Sequence, residues 1–292
     1  MKFNLTRIAP TPSGFLHLGN AYSFLLTKAL AEKTGAKILL RIDDLDRERY
    51  RSEYVQDIFD SLDFLEITID KGPKNLTEFE KEWSQIHRRP LYEQALEKLQ
   101  ETSHIFACTC SRKKIQSMDS SGYYLGHCLE RRIPLDRKEA AWRINTLIAD
   151  LIEFTEYPDS KIIQPIPLDT SFFMVRKKDQ MPSYHMTSLV DDHYFEVDLI
   201  VRGQDLFSSS IAQTYLSEIV GFKKFKNIVF YHHLILKDAQ KKKLSKSDGA
   251  TSIHHLRKSG KKLSDVFRLI GEMMGSTVPI SNMEDFKGIL SL

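Results

Sequence analysis

The sequence predicts a mixed α/β chain in which short buried strands alternate with helices, and three observations carry that expectation. Hydrophobic periodicity passes twice from strand to helix and back to strand, a loop rich in proline and glycine stands at the first strand-to-helix turn, and a cysteine-bearing stretch of short strands interrupts the pattern midway. LTRIA (5 to 9) reads as a strand, the apolar-periodic run from Leu18 to Glu32 as a helix stopped by Gly35, and KILLRI as the next strand. Such a crossover is right-handed and puts its loop at the carboxyl edge of a parallel sheet, where ligands bind. Tyr54, Val55, Ile58, Phe59, Leu62 and Leu65 recur at helical spacing, and Pro90 opens a helix through LYEQALEKLQ. Short strands and the cysteine loop run from His104 to about Ile144. VDLIVRG (197 to 203), the helix SIAQTYLSEIVG and NIVFYHH (227 to 233) form the second strand–helix–strand unit. Ser264 is the expected cap of a last helix along DVFRLIGEMMG.

Composition bounds the function. The chain has 292 residues, 41% hydrophobic and 28% charged, as an ordinary globular protein does, which excludes a disordered, collagen-like or coiled-coil chain. No stretch reaches the roughly 18 apolar residues of a membrane span, and the start MKFNLTRIAPTPSG lacks the apolar core of a signal peptide. A cytoplasmic protein without membrane contact is expected. Net charge is +3, yet residues 221 to 262 hold twelve Lys or Arg against two Asp, so this segment is +10 and the remainder −7. The asymmetry points to a polyanion or polyphosphate, or else to a solvated lysine face. Cys108, Cys110 and Cys128 are odd in number and closely spaced, which suits a metal knuckle in a reducing compartment better than a disulfide framework.

Two loops carry the chemistry. APTPSGFLHLGN (9 to 20) joins stiffening prolines with Gly14 and Gly19, which let the backbone approach a flat ligand, and sets His17 at a helix N-terminus, where N–H groups and the dipole favour phosphate. KKKLSKSDGA (241 to 250) follows the second strand–helix–strand unit and supplies mobile point charges suited to polyphosphate. Three thiolates at tight spacing need one more ligand for tetrahedral zinc, and spacing alone points to His127 or His104. His232, His233, His254 and His255 read either as a metal cluster or as surface and packing residues.

These residues resemble the class I aminoacyl-tRNA synthetases. HLGN (17 to 20) is similar to their first signature and KLSKS (243 to 247) to their second. R-x-A-P-T-P-S-G at 7 to 14, LRIDDLDRER at 40 to 49, PSYHMTSLVDD at 182 to 192 and VRGQDL at 201 to 206 are similar to the glutamyl branch. Because the chain stops soon after the second signature, where a standard glutamyl enzyme continues into an anticodon-binding domain, it resembles most the shortened glutamyl-Q tRNA(Asp) synthetase family. The resemblance implies a Rossmann-like catalytic domain with a zinc-knuckle insertion and a short helical C-terminal region. On that basis the expected domains are 1–103 with 145–236 for nucleotide binding and catalysis, 104–144 for the zinc insertion, and 237–292 for the lysine loop and the helical end.

Carried over residue by residue, the resemblance implies His17 and Lys246 as catalytic groups. ATP binding falls to His17, Gly19, Asn20, Lys243, Ser245 and Lys246, and glutamate binding to Arg7, Ala9, Thr11, Asp43, Tyr184 and Arg202. It also implies Tyr124, with Cys108, Cys110 and Cys128, as the zinc ligands. Implied cofactors are Zn²⁺, and Mg²⁺ with ATP; implied partners are ATP, L-glutamate and queuosine-containing tRNA(Asp), met by a monomer. The activity implied is glutamyl-adenylate formation followed by transfer to queuosine at the wobble position, the alternative being a truncated glutamyl-tRNA synthetase that charges the terminal ribose of tRNA(Glu). Two guanidinium groups suit a substrate with two carboxylates. The chain departs from the family at Asp43, where a glutamate is usual, and at Gln204, in a motif that otherwise reads R-G-E-D. The shorter Asp43 withdraws its carboxylate by about 1.5 Å, one C–C bond.

Overall fold

A computed structural model describes residues 1–236 and 252–290. In chain order the main elements are β1 (Leu5–Ile8), α1 (Leu18–Thr34), β2 (Lys37–Leu40), α2 (Ser52–Phe64), α3 (Arg89–Gln100), β3 (Ile105–Cys108), α4 (Arg112–Met118), β4 (Ala141–Ile144), β5 (Ile152–Glu156), β6 (Ser160–Gln164), β7 (Met174–Arg176), α5 (Tyr184–Tyr194), β8 (Leu199–Gly203), α6 (Phe207–Ile219), β9 (Val229–His233), α7 (Ile253–Lys258), α8 (Leu263–Met274) and α9 (Met283–Ile289). The chain divides into two compact units, Met1–His87 with Asp198–Gln204 and Tyr231–Leu292, and Arg88–Val197 with Asp205–Phe230.

In the first unit β1 pairs in parallel with β2, from Leu5 opposite Lys37 to Ile8 opposite Leu40, and in parallel with β8, Thr6 opposite Leu199. All four β1 residues are buried, so the strand is apolar on both faces apart from Thr6 and Arg7, as a central parallel strand must be. The helix α1 buries Leu25, Leu26 and Leu30 completely and also Tyr22 and Phe24, so its apolar surface runs round most of its circumference. Gly35 ends it at φ 80°, with its N–H donated to Ala31. The amphipathic α8 buries Val266, Phe267 and Ile270. It starts one residue before Ser264: Lys262 holds the cap position and donates its N–H to the Asp265 carboxylate at 2.9 Å. Asp265 at the third helical position serves that donor, which places Ser264 inside the first turn.

In the second unit β3, β4 and β7 form an antiparallel sheet, while β5 and β6 make a hairpin whose first strand runs parallel to residues 229–230 of β9. The sheet behind the cysteines therefore takes a strand from beyond residue 144, a non-local pairing that hydrophobic periodicity does not reveal. The helices α3 and α5 are joined by a buried ion pair. Arg88, just before α3, donates to both carboxylate oxygens of Asp191 at 2.7 and 3.1 Å, and the Tyr92 hydroxyl adds a third bond at 2.7 Å. With its carboxylate saturated, Asp191 is tolerated at 0% exposure. Asp191→Ala, which strands the Arg88 charge, is expected to destabilise the protein by about 3 kcal/mol or more in denaturant unfolding.

Candidate active site and metal centre

The first unit gathers its polar groups at the carboxyl end of β1. Arg7 is the third residue of that strand, and Arg202 the fourth of β8, which runs parallel to it with Leu199 opposite Thr6. Both guanidinium groups are buried, at 5% and 4% exposure, and Arg7 donates to the Val201 carbonyl at 3.2 Å. The loop after β1 continues the parallel pairing: Arg41 donates its N–H to the Ile8 carbonyl, and Asp43 to that of Pro10, each at 2.9 Å. The backbone thus places Arg7, Ala9, Thr11, Asp43 and Arg202 at or just beyond the carboxyl ends of three neighbouring parallel strands. Thr11 is exposed. Tyr184 opens α5 in the second unit and is 42% exposed.

Asp43 is held by a residue that motif reading passes over. Arg41 grips both Asp43 oxygens, at 2.7 and 2.9 Å, and its own side chain is 1% exposed. The spacing of two residues in extended chain, which puts side chains on one side, is the signal that identifies it. Asp44 serves the scaffold, accepting from Ser84 Oγ at 2.6 Å, Gln85 N–H at 2.7 Å and Arg47 at 2.6 Å.

His17 occupies the N-cap of α1, its backbone N–H donated to Asn20 Oδ1 at 3.0 Å. Asn20 therefore serves the cap. A Cβ on Gly19 would lie 3.0 Å from the His17 ring, so glycine there lets the imidazole lie close over the first helical turn. Lys243, Ser245 and Lys246 lie outside the described residues. The chain returns from that segment at Ser252, which forms an antiparallel bridge with His17, while Ile253 N–H donates to the Leu16 carbonyl at 2.7 Å. Of the basic segment 221 to 262, Lys224, Lys226 and Arg257 are engaged in ion pairs with Glu196, Glu218, and Asp57 and Asp60.

The cysteines form a buried cluster in the second unit, backed by Phe106, Ile115 and Phe172. Their three sulfurs lie within 4.8 Å of one another, and Cys110 Sγ is 3.6 Å from Cys128 Sγ. A tetrahedral zinc with bonds of about 2.3 Å sets sulfurs about 3.8 Å apart, whereas a disulfide needs about 2.05 Å. The donor set fits zinc. Neither His127 nor His104 joins the sulfurs; His127 packs edge-on to Tyr124 at 5.6 Å, and His104 lies by Tyr215. The Tyr124 hydroxyl does reach them, accepting the Cys128 N–H at 2.9 Å and hydrogen-bonding the Cys108 and Cys128 thiols. Burial raises the Tyr124 phenol and lifts the Cys110 thiol to about 11. Burial also acts upward on Cys128, but hydrogen bonds from Tyr124 and Cys110 outweigh it and bring that thiol to about 7. The Arg143 guanidinium lies 3.9 Å over the Tyr124 ring, and Arg131 reaches to 3.9 Å from Cys128 Sγ, so the centre is lined with positive charge. Gly126, at φ 81°, admits the Phe172 ring where a Cβ would approach to 2.7 Å. Among the described residues this is the one group of His, Cys, Asp and Glu with metal-holding geometry, so the paired histidines do not form a second.

Residues 5–145 and 148–287 match the family described as tRNA synthetases class I (E and Q), catalytic domain. The chain belongs to that family. This class I synthetase domain is similar to the glutamyl-Q tRNA(Asp) synthetase of Rhodobacter capsulatus, 31% identical over 91% of this chain and 99% of the relative. The protein of that name from Nocardia farcinica is 32% identical over 92% and 84%. A glutamate–tRNA ligase 2 of Syntrophus aciditrophicus is 27% identical over 98% of this chain, which spans 61% of that relative's length. In structure the synthetase fold is like that of a glutamate tRNA ligase from Elizabethkingia meningosepticum, with a TM-score of 0.74, 20% identity and coverage of 98% of this chain and 64% of the other. The fold is thus the mixed α/β, Rossmann-like catalytic domain with a parallel sheet, and no helix among the described residues is long and apolar enough to cross a membrane.

Purified synthetase is expected to carry about one zinc ion per chain by elemental analysis, and Cys128→Ser to lose most of it. Gly126→Ala, which drives a Cβ into Phe172, is expected to lower zinc content and melting temperature together.

Proposed function

We propose that this protein activates glutamate with ATP and transfers the glutamyl group to queuosine in tRNA(Asp). The observation that carries the reading is the similarity, at 31% identity over 91% of this chain and 99% of the relative, to a protein named glutamyl-Q tRNA(Asp) synthetase. The edge of the sheet supports the amino-acid half of the reaction. Arg7 and Arg202 present buried guanidinium groups to a substrate with two carboxylates, and Asp43, steadied by Arg41, offers a counter-charge to its ammonium. Tyr184 is assigned to the glutamate set by the family resemblance alone.

In the activation step the α-carboxylate of glutamate attacks the α-phosphorus of ATP, and pyrophosphate leaves as the glutamyl-adenylate forms. His17 and the N–H groups at the start of α1 hold phosphate oxygens, with Gly19 keeping the approach open, and Lys246, Lys243 and Ser245 stabilise charge on the transferring group. Mg²⁺ bound with ATP would supply charge neutralisation at the phosphates. A hydroxyl of queuosine then attacks the acyl carbon, its proton leaves to solvent or the phosphate, and AMP departs. Zinc, held by Cys108, Cys110, Cys128 and Tyr124, would fix the loop between β3 and β4.

Glutamate-dependent ATP–pyrophosphate exchange without tRNA is the expected result, followed by acid-precipitable glutamate on queuosine-containing tRNA(Asp) and none on the queuosine-free form. Charging of tRNA(Glu) in place of tRNA(Asp) would replace this reading with that of a glutamyl-tRNA synthetase. Asp43→Asn is expected to raise the KM for glutamate by about tenfold while leaving that for ATP unchanged, and Lys246→Ala to lower kcat.

A further inference from the structure

A buried carboxylate on α2 pairs with two side chains of α7, and neither the zinc centre nor the proposed glutamate set uses it. Asp57 is 2% exposed and sits among Val55, Ile58 and Phe59, where an apolar residue would pack at no electrostatic cost. Its Oδ1 meets two groups of α7: His254 Nδ1 at 3.2 Å, and the Arg257 guanidinium, which also reaches Asp60 at 3.1 Å. The His254 ring in turn stacks on Phe15 at 4.2 Å and 25°, and Phe15 meets Tyr54 of α2 edge-on at 5.1 Å. Carboxylate, imidazole and phenyl ring thus form one stack.

The ends of that stack are informative. Phe15 stands two residues before His17, and His254 two residues after Ser252, the residue bridged to His17. The hydrogen bond from Ile253 to Leu16 lies between them. Among the described residues, the return of the chain at Ser252 is thus tied to the loop of the first signature through His17, Leu16 and Phe15, and to α2 through Asp57 and Asp60. A buried ion pair adds little net stability over apolar packing, and its consequence is geometric.

We propose that Asp57, acting through His254 and Arg257, is a positioning residue for the triphosphate of ATP: it sets the return of the chain at Ser252 against the loop that carries His17. The inference rests on the reading that both signatures handle ATP. Arg7 and Arg202 hang on β1 and β8 and make no use of this stack, so the glutamate side is expected to be indifferent to it.

The test uses the full chain and two variants, Asp57→Asn, and His254→Gln, whose side chain is 34% exposed and leaves folding intact if the buried substitution does not. Calorimetric titration with Mg·ATP and steady-state pyrophosphate exchange are measured for each, with melting temperature as control. Expected are a loss of ATP affinity and a rise in the KM for ATP, each of about threefold or more, with the glutamate KM unchanged. A purely structural role predicts instead fewer active molecules, with a lower apparent kcat and both KM values unaltered, and that result overturns the proposal. If the parent chain binds ATP and both variants bind it equally well, the proposal fails while the adenylation reading stands. A parent chain that binds no ATP overturns both.

Discussion

Parallel pairing of β1 with strands on both sides is the constraint on which the first unit depends. A central parallel strand has no solvent face, so its side chains are apolar or fully engaged, and the polar groups collect where the strand ends. Because β2 and β8 run in the same direction as β1, their carboxyl ends lie together, which places Arg7, Arg202 and Asp43, from three separate parts of the chain, on or just beyond the ends of neighbouring strands. Burial then gives those charges their strength, since a guanidinium shielded from water interacts with a carboxylate far more strongly than an exposed one.

The second unit solves a different problem. The sheet of β3, β4 and β7 is small, and its cysteine loop packs into one cluster with Phe106, Ile115 and Phe172. Three sulfurs, a phenol and the rings of Phe106 and Phe172 form its buried centre, and a tetrahedral metal there would turn weak polar contacts into a single cross-link. Arg131 and Arg143 beside the centre would balance the negative charge that the sulfurs carry once a metal is bound. The same logic governs Asp191, where a saturated carboxylate joins two helices.

Much of this was legible from residue order. The helix from Leu18 to its glycine stop, the strands around residues 5, 37, 199 and 229, and the helix opened by Pro90 all announce themselves through local periodicity and caps. So do the three cysteines, because metal ligands on a short loop are close in sequence as well as in space. The fourth member of that cluster was legible only through the family resemblance: spacing favours a histidine, but the loop sets His127 edge-on to Tyr124 and sends the phenol toward the sulfurs. Arg41 was readable in principle, two residues from Asp43 in extended chain.

What the sequence determined by itself is therefore local: which segments form strands and helices, where the turns fall, and which residue types stand on the loops. Tertiary structure decided the pairings that join distant segments. Arg202 comes beside β1 only through the pairing of β8; β7 joins β4 across a long connection; Asp57 meets His254 and Arg257 from the far end of the chain. Such contacts carry no periodic signature, because they depend on where a backbone returns after many residues, and that is fixed by packing of the whole unit and not by the preferences of its parts.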